Sequence, residues 1–197
     1  MPRPLPGTAA ERGRLGCVLA AALPLALAAA PAAAQPPLLD EIKIGVLAND
    51  VALFERHVEA GTDVNFEMLF TPPEIFRPIG SPRPDIGMTI NSAGETQRGY
   101  FGLTWGITLI QRLFGANDGV WANGSLGGAV HNGFVDDAPP GRKNFGSPVL
   151  FHLSLELGYQ ATPTVSVSAF LEHMSNANLA PQNDGMTDLG ARLGFKF

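Results

Sequence analysis

The 197-residue chain has a single cysteine, Cys17, and it falls within the first 34 residues. Beyond that point there is no thiol, so no disulfide staples the fold and no cysteine serves as nucleophile or metal ligand. Cys17 does not read as a lipid-attachment site either, because Arg14 stands three residues before it and no apolar stretch precedes it. The chain is also poor in positive charge, with 13 Lys+Arg against 18 Asp+Glu and a formal net charge of −5. No basic stripe is present, which argues against nucleic acid as a partner. After residue 34 there is no apolar run of about 18 residues, so no helix of the mature chain can span a bilayer. Gly-rich phosphate loops and nucleotide motifs are missing, and His57, His131 and His152 do not form a metal-ligand set. No cofactor is called for.

The first 34 residues have a different character. Arg3, Arg12 and Arg14 precede an apolar run from Leu15 to Ala34 that ends in Ala32-Ala33-Ala34 before Gln35. A basic start, an apolar middle and a small-residue exit describe a secretory signal peptide, with cleavage expected after Ala34. Pro24 and Pro31 interrupt the run and count against a transmembrane helix. The expected organisation is therefore a signal peptide at 1–34 and one domain at 35–197. Removing Arg3, Arg12, Arg14 and Glu11 leaves 10 basic against 17 acidic residues, a net charge of −7.

That domain has a hydrophobic period of two, not 3.6. Eight strands are predicted, roughly Glu41–Asn49, Asp63–Phe70, Asp85–Ser92, Thr96–Leu109, Val120–Val130, Val149–Tyr159, Thr164–Ser175 and Thr187–Phe197. Turn clusters such as Ser81-Pro82-Arg83-Pro84, Asn117-Asp118-Gly119 and Pro139-Pro140-Gly141 separate them. Thr71–Pro84 reads as an irregular Pro-rich segment and His131–Ser147 as a long polar loop. In the seventh strand Val165, Val167, Ala169 and Leu171 oppose Ser166, Ser168 and Glu172; in the eighth Leu189, Ala191, Leu193, Phe195 and Phe197 oppose Gly190, Arg192, Gly194 and Lys196. Apolar outward and polar inward is the pattern of a transmembrane barrel, and a closed barrel is the only spanning structure left to a chain without an apolar helix. A soluble β-sandwich or lipocalin-like barrel alternates too, with the apolar face inward. The alternating last strand that closes on Phe197 favours the outer-membrane barrel. The fold class is thus all-β, an eight-stranded antiparallel transmembrane β-barrel in the outer membrane. Inward Glu67, Glu156, Glu172, Arg192 and Lys196 are expected to pair as a packed network, and His152 shares their phase as an interior polar residue.

With both termini periplasmic, the seventh strand ends at the cell exterior with Glu172-His173-Met174-Ser175-Asn176. His173 and Ser175 continue the phase of Val165, Val167, Ala169 and Leu171, so two reactive polar residues stand on the face that elsewhere meets lipid. Residues at i and i+2 of a strand point the same way about 6–7 Å apart. An imidazole at that spacing can reach a hydroxyl and take its proton, which activates a serine nucleophile. An acid normally orients the other ring nitrogen. Taken alone, His-x-Ser is a weak motif, and a polar residue beside a loop is the plainer reading.

The wider segment is more specific. His173-Met174-Ser175-Asn176-Ala177, then Asn183-Asp184-Gly185, then a terminal strand ending in Phe, resembles the lipid A 3-O-deacylase (PagL) family. Supporting stretches are Lys43-Ile44-Gly45-Val46-Leu47, Thr89-Ile90-Asn91-Ser92-Ala93-Gly94, Tyr100-Phe101-Gly102-Leu103-Thr104-Trp105 and Gly124-Ser125-Leu126-Gly127-Gly128-Ala129. The resemblance implies an eight-stranded outer-membrane barrel that hydrolyses the ester-linked acyl chain at position 3 of lipid A with a Ser-His-Glu triad on the outer barrel surface. It implies Ser175 as nucleophile, His173 as general base and Asn176 as an oxyanion donor. Lipid A or lipopolysaccharide would be the membrane partner, and a homodimer is one candidate state.

Two positions depart from the family's pattern. The triad glutamate follows the Gly of the Asn-Asp-Gly turn by two residues, and here that position is Thr187. The neighbouring Asp188 faces inward by strand phase with Gly190 and Arg192, and orients His173 only if a bulge re-aims it. Asp184 in the loop is another candidate, and a His173 that works without an acid is a third. Asn178 stands where a Gly is expected near the oxyanion. A rival reading is therefore a catalytically silent structural barrel, and a weaker one is a phospholipase.

Overall fold

The computed structural model describes residues 37–197; the expected signal peptide and its cleavage point lie outside the described residues. Eight antiparallel strands close into a barrel in which each pairs with its neighbours in chain order. They are β1 (Leu39–Ala48), β2 (Thr62–Phe70), β3 (Arg83–Asn91), β4 (Arg98–Gln111), β5 (Gly119–His131), β6 (Val149–Gln160), β7 (Val165–Ser175) and β8 (Met186–Lys196). The ladder closes where β1 pairs with β8, from Glu41 opposite Lys196 to Ala48 opposite Leu189. Closure leaves no unpaired edge, which is what a sheet in lipid requires. The predicted strands all form, with ends shifted by one or two residues. Two details differ. The segment expected to be irregular holds a short 3-10 helix, Glu74–Ile79, stopped by Gly80 in the left-handed region at φ 91°. β3 also begins at Arg83 and so includes Pro84.

The expected phase is observed. Ile44, Val46, Val64, Ile86, Met88, Leu153, Leu155, Leu157, Leu189 and Leu193 are exposed on the outer wall, while Lys43, Asn65, Glu67, Glu156, Glu172 and Arg192 are buried inside. An apolar belt around a buried polar interior inverts the soluble arrangement and marks a wall that faces lipid. The inward charges are paired. Arg192 bridges Glu67 at 3.0 Å and Glu156 at 2.8 Å, its guanidinium lies 3.5 Å from the Phe170 ring centroid, and Lys43 reaches Glu156 at 2.5 Å. Arg98 lies among Asp63, Glu172 and Asp188. His152 accepts its expected interior place, 2.9 Å from Glu172 and stacked on Tyr100 at 4.2 Å. Lys196 differs: it lines the periplasmic mouth and makes no ion pair among the described residues.

The connections between β1 and β2, β5 and β6, and β7 and β8 lie at one end and mark the exterior, since at the other end only the β2–β3 connection is long and periplasmic turns are usually the shorter ones. Beneath them Tyr100, Ala129, Phe145, Leu150, Met174 and Met186 form an apolar cluster inside the barrel. Ion pairs and this cluster together fill the interior as a packed core.

Arg192 holds two buried carboxylates, so removing its charge leaves Glu67 without an ion-pair partner and Glu156 with Lys43 alone. Arg192→Met is expected to destabilise the barrel by about 3–5 kcal/mol, read as an earlier midpoint of urea-induced unfolding in lipid vesicles.

Candidate active site on the outer wall

β7 carries His173 and Ser175 on its outer face, and cross-strand register fixes what stands beside them. His173 lies opposite Leu153 of β6 and Thr187 of β8, and Ser175 lies opposite Phe151 of β6. Thr187 therefore shares the outer face with His173, and its Oγ1 lies 2.8 Å from His173 Nδ1. When the ring is neutral with its proton on Nδ1, Thr187 accepts that N–H and Nε2 keeps the lone pair. A strand-held histidine with a free basic nitrogen, two residues before a serine on the same face, can take a proton from that serine.

Thr187 is fully buried although it sits on the outer wall. Its cover is the connection after β1. Val51 N–H donates to the Thr187 carbonyl at 2.7 Å, and Asp50 N–H donates to Asp188 Oδ1 at 2.8 Å. These two bonds lay the β1–β2 loop across the end of β8. Phe54 then meets the His173 ring edge-on, with centroids 5.7 Å apart. Glu55 and His173 both close on Gly185: a Cβ there would lie 2.8 Å from His173 Cε1 and 3.3 Å from Glu55 Oε1. Lys143 of the β5–β6 loop ties the assembly together, 2.6 Å from Asp50 Oδ1 and donating to the Gly185 carbonyl at 2.5 Å.

The remaining expected residues divide. Asp188 faces the interior as strand phase requires, where Arg98 and Asp50 N–H occupy its carboxylate. No bulge re-aims it, because the β7–β8 register runs unbroken from Val165 to Met174, so it is not at hand to orient His173. Asp184 accepts the Asn144 N–H at 2.8 Å. Asn176 has its side-chain amide committed to the carbonyls of Phe145, at 2.8 Å, and Gln182, at 2.5 Å, and its backbone N–H to Asn183 Oδ1. It stitches two exterior loops together and has no donor left over for an oxyanion. Ala177 and Asn178, next in the chain, have φ of 55° and 61°. Asn tolerates this left-handed region better than other non-glycine residues, which accounts for an Asn where Gly was expected. Among the described residues no protein acceptor takes the N–H of Ala177 or Asn178.

Two apolar grooves flank the pair on the outer wall. One, of about 430 Å³, is lined by Gly128, Pro148, Phe151 and Leu179 beside Ser175. The other, of about 330 Å³, runs under His173 between Phe54, Gly124, Leu153, Leu155 and Leu171. Outward glycines in β5 open both troughs. Phe54, Glu55, Lys143 and the close approach at Gly185 have no signal in the sequence beyond the turn that holds Gly185, because nothing in strand periodicity links residue 55 to residue 173.

Residues 80–196 match the family model described as lipid A 3-O-deacylase (PagL). Among solved structures, the outer membrane enzyme PagL superposes with a TM-score of 0.57 at 17% identity, over 80% of this chain and 99% of that one. Neisserial surface protein A gives 0.48 at 10% identity over 81% and 96%. The Yersinia pestis outer membrane protein Ail gives 0.41 at 14% over 82% and 100%. No curated protein sequence matches significantly. The shared fold and the apolar belt make this chain an outer-membrane barrel.

Gly185 has no room for a side chain. Gly185→Ala is expected to push the imidazole out of its 2.8 Å contact with Thr187, read as a shift of the His173 ring resonances by NMR, with the barrel still folded by its heat-dependent gel mobility.

Proposed function

The chain belongs to the lipid A 3-O-deacylase (PagL) family, and on that premise we propose that it is a serine esterase that removes the 3-position acyl chain of lipid A within the outer leaflet. The observation that carries this reading is the pair His173 and Ser175 on the lipid-facing wall, with His173 held by Thr187 at 2.8 Å. Lipid A reaches such a site by lateral diffusion, and the apolar grooves on either side suit acyl chains.

His173 Nε2 takes the Ser175 hydroxyl proton as Oγ attacks the ester carbonyl. The tetrahedral oxyanion needs donors placed where its charge develops. The left-handed turn at Ala177 and Asn178 presents successive N–H groups of the kind that cradle anions. In this reading Asn176 fixes the turn and the next two amides supply the bonds. Collapse of the intermediate expels the sugar hydroxyl, which receives the proton from His173. A water activated by the same imidazole then releases the fatty acid from Ser175. The residues themselves perform every proton transfer, so no cofactor is required.

Thr187 weakens one part of this machinery. A hydroxyl holds the ring, but it does not stabilise the imidazolium as a carboxylate does. That substitution is the one feature that favours the second reading, a silent structural barrel.

Lipid A from Gram-negative cells that express the wild type is expected to lose the mass of one 3-hydroxyacyl chain, and cells that express Ser175→Ala are expected to keep it. Unchanged lipid A beside a correctly inserted wild-type barrel would sink the deacylase reading. Thr187→Glu is expected to raise the hydrolysis rate at least ~10-fold, measured on purified protein with the same lipid; no gain in a folded variant argues for the silent barrel.

A further inference from the structure

We infer that Glu55, carried by the β1–β2 loop, is the carboxylate that serves His173 in place of the one β8 lacks. The inference rests on the esterase reading of Ser175 and assigns Glu55 as a positioning and charge-supplying residue, not one that touches substrate.

Several carboxylates around the exterior rim are otherwise engaged, and Asp136 and Asp137 stand exposed on the β5–β6 loop. Asp188 meets Arg98 in the interior, Asp50 takes Lys143 and the N–H groups of Val58 and Glu59, Glu59 takes Arg142 and Thr96, and Asp184 takes Asn144. Glu55 makes no ion pair among the described residues. It is half-buried, and its Oε1 and His173 Cε1 lie 3.3 and 2.8 Å from the point a Gly185 Cβ would occupy, which brings the two groups to one place. A side chain at position 185 would crowd both, so the glycine leaves room for ring and carboxylate together.

The loop that delivers Glu55 is held on both sides. Before it, Asp50 and Val51 are bonded to β8; after it, Val58 and Glu59 donate to Asp50 Oδ2 at 2.6 and 3.0 Å. Phe54 against the imidazole keeps water from that side, where an ion pair gains strength from a lower dielectric. The charged or titratable groups that bear on His173 are Glu55 from the β1–β2 loop, Lys143 from the β5–β6 loop and His152 from β6. Lys143 is itself paired with Asp50 at 2.6 Å. The two duties of a triad acid are thereby split. Thr187 fixes the ring through Nδ1, and Glu55 supplies the negative charge while the Ser175 proton resides on Nε2, before it passes to the departing sugar oxygen.

The test uses the full barrel in detergent with lipid A as substrate, Ser175→Ala as the blank, and the imidazole titration of His173 followed by NMR. Glu55→Gln is expected to lower kcat ~10- to ~100-fold with KM little changed, and Glu55→Asp to recover part of the loss. In a Thr187→Glu background the loss on Glu55→Gln is expected to shrink to less than ~3-fold, because the two carboxylates do the same work. The His173 titration midpoint is expected to fall by about 1 pH unit in Glu55→Gln. A Glu55→Gln variant with the wild-type rate, or an unmoved His173 midpoint, overturns the inference. Absence of Ser175-dependent hydrolysis in the wild type and Thr187→Glu alike overturns the esterase reading instead, and the titration still decides whether Glu55 acts on His173.

Discussion

The ladder between β7 and β8 pairs His173 with Thr187 and Glu172 with Asp188, and the chemistry available to this barrel follows from that register. Successive residues of a strand face opposite sides, so a slip by one would exchange the two sets. As built, the outer wall receives an imidazole and a hydroxyl, and the interior receives two carboxylates that Arg98 holds. Slippage would place those carboxylates in lipid and Met174 and Met186, now buried in the apolar cluster, outside with them. The charge network is thus what prevents it: buried carboxylates without Arg98 and Arg192 cost more than the barrel can bear. Asp188, the acid next to Thr187 in the chain, is excluded from the site by the same parity that puts His173 there.

A packed interior leaves the wall as the only surface where chemistry can meet a lipid, and a wall of strands alone is too flat to hold a substrate. The exterior loops supply the relief. Lys143 joins the β5–β6 loop to the β1–β2 loop through Asp50 and to the β7–β8 loop through the Gly185 carbonyl. Asn176 joins the β7–β8 and β5–β6 loops through Phe145. Each of these bonds lies over the apolar cluster, shielded from water, where an intact polar network gains rigidity and a broken one is costly. Rigid loops matter here because Phe54, Glu55 and the Ala177–Asn178 turn reach the site only from them.

Strand periodicity carried the fold. The phase of Val165 to Leu171 extends without a break to His173 and Ser175, so the position of both residues was readable from the chain, as was the inward turn of Asp188. The role of Asn176 was not. Its side chain reaches carbonyls 31 and 6 residues away, and loop-to-loop bonds of that range have no period to announce them. Glu55 lies in a segment without strand pattern and meets His173 only because Asp50 and Val51 fold the loop over β8. Lys196, by contrast, was assigned to the charge network from phase alone, and phase says which way a side chain points but not whether a partner stands at its height in the barrel.

Thr187 can be understood from the place it occupies. It has no exposure, pressed between the β7–β8 ladder and the loop that carries Phe54. A carboxylate in that position would lose its hydration in every state of the protein, and on the esterase reading the imidazolium that would compensate it exists only while the serine proton is in transit. A threonine hydroxyl bears no such cost, keeps the ring in one orientation and leaves Nε2 as the base. The charge can then come from a half-buried loop residue whose carboxylate keeps part of its water at rest. On the esterase reading, orientation resides in the barrel wall and electrostatic assistance in a loop, so the strength of the base would depend on how firmly Asp50 and Lys143 hold that loop down.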